Sequence, residues 1–277
     1  MLRRIFRIML WLVITVLGVV VALLAFLYFG QGKIIFIPSR SIDATPADAG
    51  LAYEDVYIEV DDGVQIHGWY ARQNSSAPTV LFCHGNAGNI SHRISTAQML
   101  NELGVNYLMF DYRGYGRSGG SPSEENAYGD AAAAYRWLRT EKGVPAESLF
   151  VFGRSLGGAV GVELSTAQDC AGLILESTFT SISDMGKRIY PFLPVKLLVR
   201  YRFASIEKMS RVKCPLLVAH SADDELIPYE MGKRLYEAGS EPKGFVEFSG
   251  GHNDLDCLHD EKYRRSLREF LELDEPL

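Results

Sequence analysis

Cysteine is scarce in this chain of 277 residues: Cys83, Cys170, Cys214 and Cys257 stand singly, with no C-x-x-C pair. That excludes the usual ligand spacing of a structural zinc site and the motif of a redox dithiol. Most of the four lie beside apolar strand-like runs, where a small buried side chain is the expected role, and nothing in their spacing favours a disulfide. Low-complexity stretches and internal repeats are missing too. With 47% hydrophobic and 22% charged residues, the chain has the composition of a folded domain rather than of a disordered one. A basic surplus is also missing: residues 1–33 hold Arg3, Arg4, Arg7 and Lys33 without an acid, which leaves 24 basic against 34 acidic residues in the remainder. A domain that acidic is not built to bind nucleic acid.

Charge itself is absent from Ile8 to Phe29, a run of 22 residues reading IMLWLVITVLGVVVALLAFLYF. At about 1.5 Å per residue it reaches across roughly 30 Å of hydrocarbon, which predicts a transmembrane helix. A cleaved secretory signal fits worse, because its apolar core is about 7–15 residues long and no convincing A-x-A site follows here. Arg3, Arg4, Arg7 and the amino terminus outweigh Lys33 and Arg40 on the other side. The positive-inside rule therefore puts the N-terminus in the cytoplasm and the rest of the chain across the membrane, in the periplasm if the cell is bacterial. The expected organisation is a tip and anchor over 1–32, a connector over 33–52 punctuated by Pro38, Pro46 and Gly50, and one domain over 53–277.

Within that domain, YEDVYIEV and VQIHGWYAR alternate polar and apolar residues around Asp61-Asp62-Gly63, the pattern of an antiparallel hairpin. Thereafter TVLFC, NYLMF, SLFVF, GLILE and PLLVAH are short, almost unbroken apolar runs suited to strands buried on both faces. Helical stretches such as 124–142 and 156–168 separate most of them. The alternation predicts an α/β fold with a mostly parallel central sheet and right-handed crossovers. FVEF at 245–248 and a helix from about Asp260 to Leu273 close it. Between Glu176 and Pro215 the rhythm breaks for almost forty residues, including IYPFLPVKLLVRYRF at 189–203. A connection of that length carries structure or function of its own. It predicts a short cap over about 177–210, with a helix covering the sheet edge and a face touching the membrane as the alternatives.

The pattern G-x-S-x-G occurs twice, around Ser118 and around Ser155. Ser155 follows SLFVF at once and precedes the helix-forming LGGAVGVELSTA, the strand, sharp turn and helix that a nucleophile elbow needs. Ser118 stands six loop residues beyond its strand and is followed by Gly119, Gly120, Ser121 and Pro122, so it reads as part of a glycine-rich loop. Ser121 or Ser123 then caps the next helix. A serine nucleophile needs a base, and the base an orienting acid, in the chain order Ser, Asp or Glu, His. His252 in SGGHNDL, just past the last strand, is the candidate base; His259 falls near the start of the final helix. HSADDELIP, after a buried strand, offers Asp223, Asp224 and Glu225 as the acid.

GRSLGG, HGNAGN at 84–89, FDYRGYGRSGG at 110–120 and the DELIP segment together resemble the α/β-hydrolase superfamily. More narrowly they resemble its single-pass membrane-anchored serine hydrolases, the branch that includes the bud-emergence type proteins and protein depalmitoylases. The resemblance covers roughly residues 53–272 and implies the α/β-hydrolase fold. The family pattern G-x-x-D-x-x-V/I-P, laid on Ser221 to Pro228, implies Asp224 as the acid. Ser221 stands where glycine is usual, and Asp223 and Glu176 remain rivals. The resemblance also implies backbone oxyanion donors at Asn86 and Leu156, a structural His84, and Arg113 and Tyr115 as loop braces. It implies no metal or organic cofactor and says nothing of oligomeric state. The expected activity is hydrolysis of an ester or thioester of a small molecule, an acyl lipid or an acyl protein at a membrane, with Phe192 to Val199 available to an acyl chain. A serine peptidase of the same fold and a catalytically idle membrane-bound scaffold are the alternatives.

Overall fold

The computed structural model describes residues 2–61, 63–254 and 259–273. Asp62, in the turn of the expected hairpin, and Cys257 lie outside the described residues. The chain opens with α1 (Leu2–Ile35). Among the described residues Arg3–Ile35 is the one helix long and apolar enough to cross a membrane. It continues past Phe29 through Lys33, so the first residues of the expected connector are helical; the first proline after the apolar run is Pro38, and the helix stops short of it.

Eight strands form one sheet: β1 (Glu54–Glu59), β2 (Gln65–Ala71), β3 (Thr79–Cys83), β4 (Asn106–Phe110), β5 (Leu149–Arg154), β6 (Gly172–Glu176), β7 (Leu216–Ser221) and β8 (Lys243–Phe248). Their order is β1-β2-β4-β3-β5-β6-β7-β8. Only β2 runs against its neighbours, pairing antiparallel with β1 in the expected hairpin and with β4; the rest are parallel.

The unbroken apolar runs follow from burial on two sides. Leu81, Val151, Leu175 and Val218 face a core shared with α3 (Glu124–Thr140), α4 (Leu156–Ala167) and α7 (Tyr229–Ala238). Their sequence neighbours Phe82, Phe152, Ile174 and Ala219 face a second core with α2 (Ile94–Glu102) and α8 (Glu261–Phe270). Phe82 and Phe152 meet edge to face at 5.2 Å. Each large apolar side chain buried this way stabilises the fold by about 1.5–3 kcal/mol, before the cost of ordering it. Helix starts obey local chemistry: Ser123 caps α3 by accepting from the Asn126 amide at 3.0 Å, and Asp260 caps α8 by accepting from Tyr263 at 2.8 Å.

The strand order also places the site. From β3 the chain crosses to β4 on one side, and β5 lies on the other, with Cys83 opposite Gly153. The loops leaving β3 and β5 therefore part in opposite directions and open a crevice at the carboxyl ends of the strands, where ligands of open α/β sheets bind. Between β6 and β7 the long connection folds into α5 (Ile182–Ile189), α6 (Val195–Leu198) and two 3-10 turns, Ser205–Glu207 and Met209–Arg211.

Candidate active site

Ser155 sits between the end of β5 and the first residue of α4 with φ 54 and ψ −120, a left-handed conformation that costs a residue with a Cβ about 1–3 kcal/mol. The turn is held from outside: the Ser155 amide donates to the Glu176 carbonyl at 2.9 Å, and Thr178 donates to the Ser155 carbonyl at 2.6 Å. Its two glycines are steric necessities. A Cβ at Gly153 would stand 2.3 Å from the Gly157 carbonyl oxygen, and one at Gly157 only 1.9 Å from that of Cys83.

Ser118, the other G-x-S-x-G serine, is buried and fully engaged. Its hydroxyl donates to the Asp111 carbonyl at 2.7 Å and accepts from the His67 amide at 2.8 Å, pinning the glycine-rich loop to β2.

Two expected residues, His252 and Asp224, come together with Ser155. His252 Nε2 lies 3.1 Å from Ser155 Oγ, and His252 Nδ1 lies 2.8 Å from Asp224 Oδ2. Because a carboxylate only accepts, Nδ1 carries the proton and Nε2 presents its lone pair to the hydroxyl. Asp224 is buried, and its Oδ1 accepts from the Leu226 and Ile227 amides at 3.0 and 2.7 Å. Burial pushes its carboxyl up, but the hydrogen bonds from His252 and Ile227 outweigh that and hold it below its ordinary value. His220 approaches the same carboxylate oxygen, with Nε2 at 3.6 Å from Asp224 Oδ2 and donating to the Ile227 carbonyl at 3.0 Å. Burial holds the His220 imidazole below its ordinary value, so it stays neutral beside the carboxylate.

The rival acids are placed elsewhere. Glu176 forms a buried pair with Arg154, Nε to Oε1 at 3.0 Å, and accepts from the Tyr263 hydroxyl. Asp223 is exposed, and its amide donates to Ser221 Oγ at 3.1 Å. His259, beside α8, is exposed as well.

Several residues fix the backbone of His252 rather than its ring. Glu225 accepts from the His252 amide at 2.9 Å, and Arg154 Nη2 donates to the His252 carbonyl at 3.0 Å. Asp254 accepts from the Gly251 amide at 2.6 Å, and Ser221 donates from Oγ to the Gly250 carbonyl. The serine that replaces the customary glycine at 221 thus ties the acid loop to the histidine loop.

The loop after β3 comes up against the serine: a Cβ on Gly85 would lie 3.3 Å from the Ser155 Cβ. Asn86 follows it, and Leu156 is the first residue of α4, whose amide has no acceptor within the helix. Among the described residues no hydrogen bond occupies the Asn86 or Leu156 amide. The Asn86 side chain is anchored, its Oδ1 accepting from the Ile37 amide and the Tyr115 hydroxyl, each at 3.1 Å. Residues 37–39 pair with the same loop, Gly88 donating to Ile37 and Ser39 to Gly88, both at 3.0 Å. His84 is buried, its Nδ1 donating to the Gly85 carbonyl at 2.6 Å, and Arg113 braces α3 through Asp130 at 2.7 Å. Among the described residues no group of three or more His, Cys, Asp or Glu side chains is arranged to hold a metal ion.

The sequence family described as serine aminopeptidase, S33, matches residues 74–204. An uncharacterised protein of Mycobacterium tuberculosis is 39% identical over 249 positions, covering 89% of this chain and 89% of its own. The Arabidopsis thaliana alpha/beta hydrolase domain-containing protein WAV2 is 38% identical, covering 92% of each. The chain belongs to the α/β-hydrolase superfamily. Another relative in that superfamily, the lysophosphatidylserine lipase ABHD12 of Rattus norvegicus, is 31% identical over 89% of this chain and 75% of its own. Among solved structures, an esterase of Pyrococcus furiosus superposes with a TM-score of 0.70 at 24% identity, over 85% of this chain and 98% of that one, a likeness of fold.

Proposed function

We propose that this α/β-hydrolase is a serine esterase or thioesterase that works through an acyl-enzyme at a membrane surface. The observation that carries the reading is the pair of contacts at one imidazole, 3.1 Å to Ser155 Oγ and 2.8 Å to Asp224 Oδ2. In the proposed cycle Ser155 Oγ attacks the acyl carbon as His252 Nε2 takes its proton, and Asp224 steadies the imidazolium. The charge on the carbonyl oxygen is met by the amides of Asn86 and Leu156, an arrangement whose single donors are each worth about 10²–10³ in turnover. His252 then protonates the departing alcohol or thiol. Water, deprotonated by the same imidazole, attacks the acyl-enzyme and releases the acid and the free serine.

For the substrate we favour acyl lipids or acylated proteins. α1 suits a membrane anchor, and the Rattus norvegicus relative is named for a lysophospholipid lipase activity. On this reading the chain belongs with the single-pass branch of the superfamily, and the basic tip Arg3, Arg4 and Arg7 supports a cytoplasmic N-terminus with the catalytic domain across the membrane. The name of the matched S33 family keeps peptidase activity as the second reading. Short p-nitrophenyl esters and thioesters should be hydrolysed by the full chain and aminoacyl anilides should not, with ester turnover falling about 10⁴-fold or more in His252→Ala. Anilide cleavage without ester cleavage would select the peptidase instead, and turnover of neither the hydrolase reading's scaffold rival.

A further inference from the structure

The cap and the anchor are joined at one level of the molecule. Gln31, two residues past the end of the apolar run, donates from Nε2 to the Leu198 carbonyl at 2.6 Å, and its Oε1 accepts from the Arg200 amide at 2.8 Å. Beside this clasp the Tyr201 ring packs on Gly32 and meets Phe36 edge to face at 5.5 Å. α6 therefore stands where a spanning helix leaves the hydrocarbon. From that position the cap turns large apolar side chains outward: Phe192 is 86% and Leu197 82% exposed, with Ile189 and Tyr190 also exposed. Between Asp184 and Glu207 the sequence has no acid and five bases, Lys187, Arg188, Lys196, Arg200 and Arg202, in a chain whose net charge is −6. Apolar side chains flanked by bases, level with a membrane exit, are the composition of an interfacial segment.

We infer that α5, α6 and the turn between them form a second membrane contact, seating Phe192 and Leu197 among the acyl chains and Lys187, Arg188 and Lys196 on the phosphates of anionic phospholipid. The inference rests on α1 spanning the bilayer, and it does not depend on the catalytic reading. Its consequence is a fixed orientation: one helix leaves a domain free to swivel, and a second contact on the cap stops the swivel.

The test places a photoreactive benzophenone amino acid in turn at Ile14, Phe192, Leu197 and Lys233 of the full chain in nanodiscs of phosphatidylcholine and phosphatidylglycerol. Irradiation should give lipid adducts at Ile14, Phe192 and Leu197 and none at Lys233, which is exposed on α7. Reversing Lys187, Arg188 and Lys196 to Glu should lower the phosphatidylglycerol adducts at Phe192 severalfold. Adducts at Ile14 alone, or cross-links from Phe192 and Leu197 to a second copy of the chain, would overturn the inference while leaving the anchor standing. Absence of lipid adducts at Ile14 would remove the anchor and the inference with it.

A separate observation concerns the stem of the same connection. Cys170 Sγ and Cys214 Sγ lie 3.0 Å apart, just ahead of the neighbouring parallel strands β6 and β7. Paired strands run about 4.7–4.9 Å apart, within the Cα separation a disulfide spans. The geometry points to a Cys170–Cys214 disulfide that closes the whole cap-bearing connection. The oxidant is a small-molecule or protein disulfide. The Cys170 thiolate attacks one of its sulfurs and expels a thiolate, and the Cys214 thiolate then attacks Cys170 Sγ and expels the second, so two electrons pass to the oxidant and two protons to solvent. The hydrogen bond it shares with Cys214 holds the Cys170 thiol below its ordinary value, which favours it as the attacking sulfur. Treating the full chain with oxidised glutathione, alkylating and digesting it should yield a linked Cys170–Cys214 peptide that Cys170→Ser abolishes. Full alkylation of both cysteines, or stable glutathione adducts on either, would overturn it.

Discussion

Arg154 donates from Nη2 to the main-chain carbonyl of His252 at 3.0 Å while its Nε pairs with Glu176 at 3.0 Å. The residue before the elbow serine thus grips the backbone of a loop 98 positions away. Both partners of the ion pair are buried, so removing one leaves an uncompensated charge. Arg154→Met should lower unfolding stability by about 3–5 kcal/mol, with Glu176→Gln in the same chain restoring part of the loss. Denaturant unfolding in detergent checks this, and equal stability of Arg154→Met and the native chain would contradict it.

The anchored Asn86 side chain makes a kinetic prediction. Asn86→Ala keeps the peptide N–H but frees it from the Ile37 amide and the Tyr115 hydroxyl. A donor displaced by a fraction of an ångström should lower kcat by about 10- to 100-fold while KM for a short ester changes little. Tyr115→Phe, which removes one of the two tethers, should fall between the variant and the native chain. An unchanged kcat in Asn86→Ala would show that the loop does not depend on its tether.

A pH prediction follows from His220. Its folded value lies below the ordinary 6.5, so as pH falls past 6.5 the unfolded chain takes up this proton before the folded chain does. The stability contributed by the neutral buried ring is complete above 6.5 and is lost progressively below it, down to the folded value. The native Tm should therefore drop more steeply below pH 6.5 than that of His220→Gln, which has no proton to gain. Parallel curves would contradict the assignment.

The elbow was legible in the sequence because its requirement is local: an apolar strand, two glycines around a serine and a helix-forming run all fall within SLFVFGRSLGG. The same holds for the sheet, whose apolar runs match burial on two faces. Arg154, Glu225 and Ser221 were not legible as positioning groups, since each acts on a main-chain atom brought close only by the fold. Residues 37–39 read as punctuation around Pro38, yet they pair with the loop that carries Asn86. Such pairing leaves no periodic trace in so short a segment. The extra helical turn of α1 beyond Phe29 was hidden for another reason: charge marks where a bilayer ends, and a helix ends only where its backbone geometry is broken.

The most direct test of the proposed chemistry is to label the full chain with a fluorophosphonate and map the adduct by tandem mass spectrometry. A single adduct on Ser155, abolished in Ser155→Ala and strongly reduced in His252→Ala, is the predicted result. An adduct on Ser118, or undiminished labelling of Ser155→Ala, would contradict it.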